Sequence, residues 1–111
     1  MSKAELLSGK PYQLFFQALA NPTRMKIVSH LRHQKSGRSV SEICAETGVE
    51  QTQASHALKC LAFCGLVTSV RIRKSIVYSL NEDTLIPLLS IVDKHLERHA
   101  QNLYTCDALE R

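Results

Sequence analysis

The chemistry open to this chain is concentrated in its sulfur. Four cysteines, Cys44, Cys60, Cys64 and Cys106, stand among 111 residues, and two of them lie four apart in QASHALKCLAFCGL (53–66). On a helix that spacing is one turn, so Cys60 and Cys64 share a face. Thiolates so placed can converge on one soft ion, whereas magnesium and calcium prefer oxygen donors. The same positions also suit plain packing, because free cysteine behaves as a small, often buried hydrophobe. Cys-x-x-x-Cys lacks the spacing of a thioredoxin motif, and no Gly-rich phosphate loop or catalytic triad accompanies it. The residues therefore argue against an enzyme.

The helix that would carry this pair has a second face. From Gly48 to Leu66 the chain reads as a turn, one helical stretch and a stop at Gly65, with Ala54, Ala57, Leu58, Leu61 and Cys64 recurring at three- and four-residue steps as a core face. The other side gathers Gln51, Thr52, Gln53, Ser55, His56 and Lys59, donors of the kind that reach base edges and phosphates from a major-groove helix. Just upstream, Ser39-Val40-Ser41-Glu42 has the pattern of a capping box, Val40, Ile43 and Cys44 share one face, and Gly48 supplies a left-handed turn residue. Together these predict a helix-turn-helix. After Gly65 the apolar period drops to about two through Leu66–Val70 and Ile76–Leu80, which predicts a hairpin. Its connection holds Arg71, Arg73 and Lys74, a cationic tip suited to the sugar-phosphate backbone.

Around this centre the chain must supply support. An apolar fraction of 44% in 111 residues fits one small domain, residues 1–111, too short to hide all its apolar surface without a partner subunit. The net charge of +4 and pI of 9.0 favour an anionic partner. Neither an apolar run of membrane-spanning length nor a signal-peptide pattern is present, which predicts a cytoplasmic protein without a membrane partner. Residues 11–20 carry Tyr12, Phe15, Phe16 and Leu19 at helical spacing, wide enough to need two neighbours. Asn21-Pro22 opens a second helix, with Met25, Ile27, Val28 and Leu31 inward. His30, Arg32, His33 and Lys35 crowd its C-terminal end, and Gly37 is expected to end it or to lie just past the end. A last helix is expected from Asn81 to about Leu103, with Pro87 in its first turn. Leu85, Leu89, Val92, Leu96, His99 and Leu103 step by four and three along it, a heptad seam that wants a partner helix. The predicted architecture is mainly α with a small β-hairpin, a winged helix-turn-helix dimerised through its first and last helices and set to bind a pseudo-palindromic site.

Four stretches resemble the SmtB/ArsR family of winged helix-turn-helix repressors: ALANPTRMKIVSHL (18–31), SVSEICAETGV (39–49), QASHALKCLAFCGLV (53–67) and IVYSL (76–80). The chain departs from the family in having Glu50 where Ser or Thr often caps the recognition helix, and in a wing tip without glycine. The resemblance implies a homodimer that binds operator DNA and releases it on a metal or thiol-reactive signal, with no organic cofactor. Cys60, Cys64 and Cys106 look like the ligand set of the CmtR type of cadmium and lead sensor, in which the third thiolate comes from the other subunit's C-terminal region. Two alternatives stand beside it. Arsenic(III) sensors also use three thiolates, though many place them in the helix before the turn, where this chain has only Cys44. Persulfide-responsive members use one early and one late cysteine, onto which Cys44 and Cys106 map. The family's zinc-type site on the last helix looks incomplete, since Asp93-x-His95 is followed by Cys106 and Leu109 where further ligands are expected.

Overall fold

A computed structural model gives the fold and describes residues 1–110. Among these, six helices and three strands follow in the order α1 (Lys3–Leu7), α2 (Lys10–Leu19), α3 (Pro22–Arg32), β1 (Arg38–Ser39), α4 (Val40–Thr47), α5 (Gln51–Phe63), β2 (Val67–Ile72), β3 (Ser75–Leu80) and α6 (Leu85–Thr105). They fall into two compact units, Met1–Asn81 and a second that begins at Glu82.

In the first unit the helix boundaries are set by local hydrogen bonds. Asn21 Oδ1 accepts the Arg24 N–H at 3.0 Å while Pro22, with no N–H to orphan, sits in the first helical turn of α3. At α4, Ser39 Oγ accepts from the Glu42 N–H (3.2 Å) and Glu42 Oε1 from the Ser39 N–H (2.9 Å), completing the capping box. Gly48 then takes φ 78°, a left-handed turn that leads by way of Val49 and Glu50 into α5. Helix α5 closes in a Schellman motif: Leu66 N–H donates to Leu61 O (2.8 Å), Gly65 N–H to Ala62 O (3.1 Å), and Gly65 adopts φ 79°. Ile27, Val28, Ile43, Ala54, Leu58 and Leu61, all fully buried, form the core of helices α3, α4 and α5. Burying one such leucine contributes about 1.5–3 kcal/mol.

The strands form an antiparallel sheet in the order β1-β3-β2, with β2 and β3 in register from Val67↔Leu80 to Ile72↔Ser75. Several boundaries differ from the sequence reading. Helix α3 stops at Arg32, so Gly37 is not its terminator. A Cβ on Gly37 would run into the side chains of Val77 and Ser79, and close approach of β1 to β3 explains the glycine. Short β1 and α1 carry no hydrophobic period; α1 is opened by a Ser2/Glu5 capping box. Cys64 is exposed at the C-cap and does not join the core face of α5.

The last helix begins at Leu85, not at Asn81. Asn81 is drawn off instead by the end of α5, its N–H donating to Leu66 O (3.0 Å) and its side-chain amide to Gly65 O (2.9 Å). Pro87 lies in the first turn of α6, where an N–H has no intrahelical partner to lose. In this second unit Leu85 is fully buried, Leu89 and Val92 are half-buried, and Leu96, Leu103, Ile91 and Tyr104 are exposed. Helix α2 likewise buries Leu19 and exposes Tyr12, Leu14 and Phe16. No helix among the described residues is long and apolar enough to cross a membrane.

Candidate nucleic-acid interface and thiol pair

Burial of one face of α5 leaves the other to solvent. Gln51, Thr52, Gln53, His56 and Lys59 are exposed and Ser55 is half-buried. In place of a Ser or Thr cap, Glu50 Oε2 accepts the Gln53 N–H at 3.0 Å. The N–H groups of Gln53 and then Thr52 hold the Glu50 carboxyl below its ordinary pKa, helped by the Thr52 hydroxyl and by the charge of His56. The head of this helix thus carries its own carboxylate, which offsets the positive end of the helix dipole.

The hairpin is longer than the sequence reading allows. Arg71 is not in the connection: it lies in β2, paired with Ile76, because the strands run to Ile72 and Ser75. The tip is Arg73-Lys74, and Arg73 takes φ 58°, the conformation that a glycine would adopt without strain. All three cations are exposed.

The two spaced cysteines lie at the far end of α5. Cys60 is half-buried, Cys64 is exposed, and the two stand one helical turn apart. Partial burial pushes the Cys64 thiol above its ordinary pKa, the neighbouring Cys60 adds to the rise, and the charge of Arg24 opposes it. Cys44 is half-buried on α4, and Cys106, at the C-cap of α6, is half-buried in the second unit. Among the described residues no three His, Cys, Asp or Glu side chains gather as a metal cage. Within one chain Cys60 and Cys64 are two soft donors one helical turn apart.

Sequence spacing missed three features because their partners are distant along the chain. Arg24 Nε donates to Ala18 O (2.5 Å) and its Nη2 to Gln17 O (3.2 Å), clasping the end of α2. His30 Nε2 and Arg38 Nε meet Glu46 Oε1 at 2.6 and 3.1 Å, tying α3 to α4. A hollow of about 470 Å³ opens where Asn21, Thr23 and Arg24 face Thr52, Gln53 and His56. The N-P-T-R run that opens α3 was the available signal for the last.

A helix-turn-helix followed by a hairpin with a cationic tip defines the winged helix-turn-helix class of DNA-binding proteins. Within that class, residues 21–69 match the bacterial regulatory protein, arsR family, and the chain belongs to the ArsR/SmtB family. It is 38% identical over 81 residues to the HTH-type transcriptional regulator NmtR of Mycobacterium tuberculosis, covering 73% of this chain and 66% of that protein. A protein of Streptomyces lividans described as a probable mercury resistance operon repressor is 32% identical over 77 residues, 69% of this chain and 60% of that one. The matched region spans less than two thirds of the length of either relative. These relatives are named as regulators, not enzymes. The solution structure of the homodimeric winged helix-turn-helix domain Mb0332 from Mycobacterium bovis superposes with a TM-score of 0.76 at 25% identity, covering 92% of this chain and 93% of that one.

Proposed function

We propose that this chain is a cytoplasmic, homodimeric transcriptional repressor that holds operator DNA and releases it when its cysteine thiolates capture a soft metal ion such as cadmium or lead. The observation that carries the reading is the division of α5, whose exposed Gln51–Lys59 face is followed within the same segment by Cys60 and, one turn on at the C-cap, Cys64. In this reading Gln51, Thr52, Gln53, Ser55, His56 and Lys59 enter the major groove, and Arg71, Arg73 and Lys74 meet the flanking phosphates. All 111 residues act as one DNA-binding domain with dimerisation helices. The exposed apolar residues of α2 and α6 support a twofold pairing through those helices, and the Mycobacterium bovis structure is itself homodimeric.

Two soft donors one turn apart suit a thiophilic ion, and Cys106 of the partner subunit would complete a three-thiolate set. Bound there, the ion would tie the end of the reading helix to a second segment. The Streptomyces relative, described as a mercury resistance repressor, supports a metal as the signal. Coupling of the usual size, about 1–3 kcal/mol, weakens DNA binding roughly 5- to 150-fold.

A thiol switch is the second reading, favoured by two cysteines one helical turn apart with no third ligand gathered around them among the described residues. Titration of the reduced protein with cadmium separates the two. Ultraviolet sulfur-to-metal charge-transfer bands that vanish in Cys60→Ser/Cys64→Ser support the metal reading. A change of mass only after oxidant or persulfide, with no such bands, supports the switch.

The DNA reading has its own test in a duplex selected from a randomised pool. Affinity for it should fall steeply with salt, with a log–log slope of about −0.9 per neutralised phosphate. Binding indifferent to salt would leave only a protein-interaction module with a vestigial DNA face.

A further inference from the structure

The hollow at the head of α3 has one wall in the reading face of α5, but its α3 wall is absorbed by none of the roles above. Its walls come from two helices: Thr23 and Arg24 of α3 with the capping Asn21, and Thr52, Gln53, His56 and Ala57 of α5. It adjoins the surface assigned to the major groove, yet α3 lies outside the recognition helix and would face the strand beside the groove. We propose that this hollow seats one backbone phosphate of the bound duplex, with the Thr23 hydroxyl as its anchor on α3. The inference rests on the DNA-binding reading and adds to it a second helix that fixes the register of the first.

Three observations support a phosphate as the occupant. The hollow holds about 470 Å³, room for a phosphate with its waters, and apart from Ala57 every wall residue carries a polar or cationic side chain. Arg24 is held in place beforehand by the carbonyls of Ala18 and Gln17, so its charge stands beside the hollow without an ordering cost on binding. Thr23 is half-buried, and its side chain is not consumed by the cap of its own helix, which Asn21 makes to the Arg24 N–H. The opposing charge is Glu50, whose carboxylate is engaged by the Gln53 N–H. Phosphate contacts of this kind orient a protein on the duplex without reading sequence.

The test pairs Thr23→Val, which keeps the shape and removes the hydroxyl, with duplexes carrying one neutral methylphosphonate at a time, all read by fluorescence anisotropy. Neutralising one position per half-site should weaken wild-type binding roughly tenfold, the scale of a hydrogen bond to a charged group. Thr23→Val should bind the unmodified duplex more weakly by a similar factor and be insensitive to that one substitution. The preference for the selected sequence should be unchanged. If the duplex is bound specifically but no phosphate position couples to Thr23, the seat is refuted while the DNA reading stands. If no duplex is bound at all, the DNA reading falls and the seat with it. A free anion is the other source of the same chemistry. Inorganic phosphate, added at constant ionic strength without DNA, should leave the Thr23 and His56 amide resonances unmoved; saturating shifts there would make the hollow a small-anion site and overturn the proposal.

Discussion

Helices α5 and α6 are both amphipathic, yet they satisfy their apolar faces in different ways. In α5 Ala54, Leu58 and Leu61 are fully buried within a 13-residue helix. In α6, 21 residues long, Leu85 alone reaches full burial while Leu96 and Leu103 of the seam remain 37% and 43% exposed. A helix closed by its own unit holds its exposed face in a fixed position, as the proposed reading head requires. One whose seam stays open leaves apolar surface that, in the proposed dimer, a second copy of the same helix would cover.

The largest effect expected of this contrast is in the closed helix. Leu58→Ala should cost about 2–5 kcal/mol in urea unfolding, because the cavity is lined on every side, whereas Leu96→Ala in α6 should cost the isolated subunit far less. Comparable losses would erase the distinction. Next, Leu96→Glu with Leu103→Glu should shift the sedimentation equilibrium toward monomer and remove the concentration dependence of the thermal midpoint. An unchanged dimer would place the interface away from the α6 seam.

The smallest effect concerns the clasp between α3 and α4. The hydrogen bond to His30, with Arg38 behind it, holds the Glu46 carboxyl below its ordinary pKa of 4.5. A lowered folded pKa contributes stability that is complete above the unfolded value and is lost as pH falls through the folded one. Glu46→Gln should accordingly be less stable than wild type near neutrality, and the two should converge in acid. A gap that persists at low pH would mean that shape, not charge, makes the clasp.

What the sequence disclosed and what it withheld divide by distance along the chain. Asn21-Pro22, Ser39 with Glu42, Gly48 and Gly65 act within a turn of themselves, so their types and spacing are enough to place α3, α4 and α5. The Ser2/Glu5 box that opens α1 is the same kind of signal, but no apolar period follows to draw attention to it. Gly37 looked like a helix terminator because its real constraint, the side chains of Val77 and Ser79, lies forty residues downstream. Arg71 looked like loop because cations mark tips, while pairing with Ile76 carries the strand past it. Cys64 looked like core because its spacing continues the apolar face by one step beyond the point at which the helix ends. At the candidate site the exposed polar face of α5 follows from period alone. The clasp of Arg24 on α2 and the hollow beside it needed three dimensions.

That one segment both reads DNA and responds through sulfur is tested most directly by anisotropy of the selected duplex with reduced protein, before and after cadmium or lead is added. Wild type should lose affinity roughly 5- to 150-fold on metal addition, and Cys60→Ser/Cys64→Ser should bind the duplex as tightly as wild type and keep it when metal is present. Equal indifference of both proteins to either ion, with the duplex firmly bound, would contradict the account.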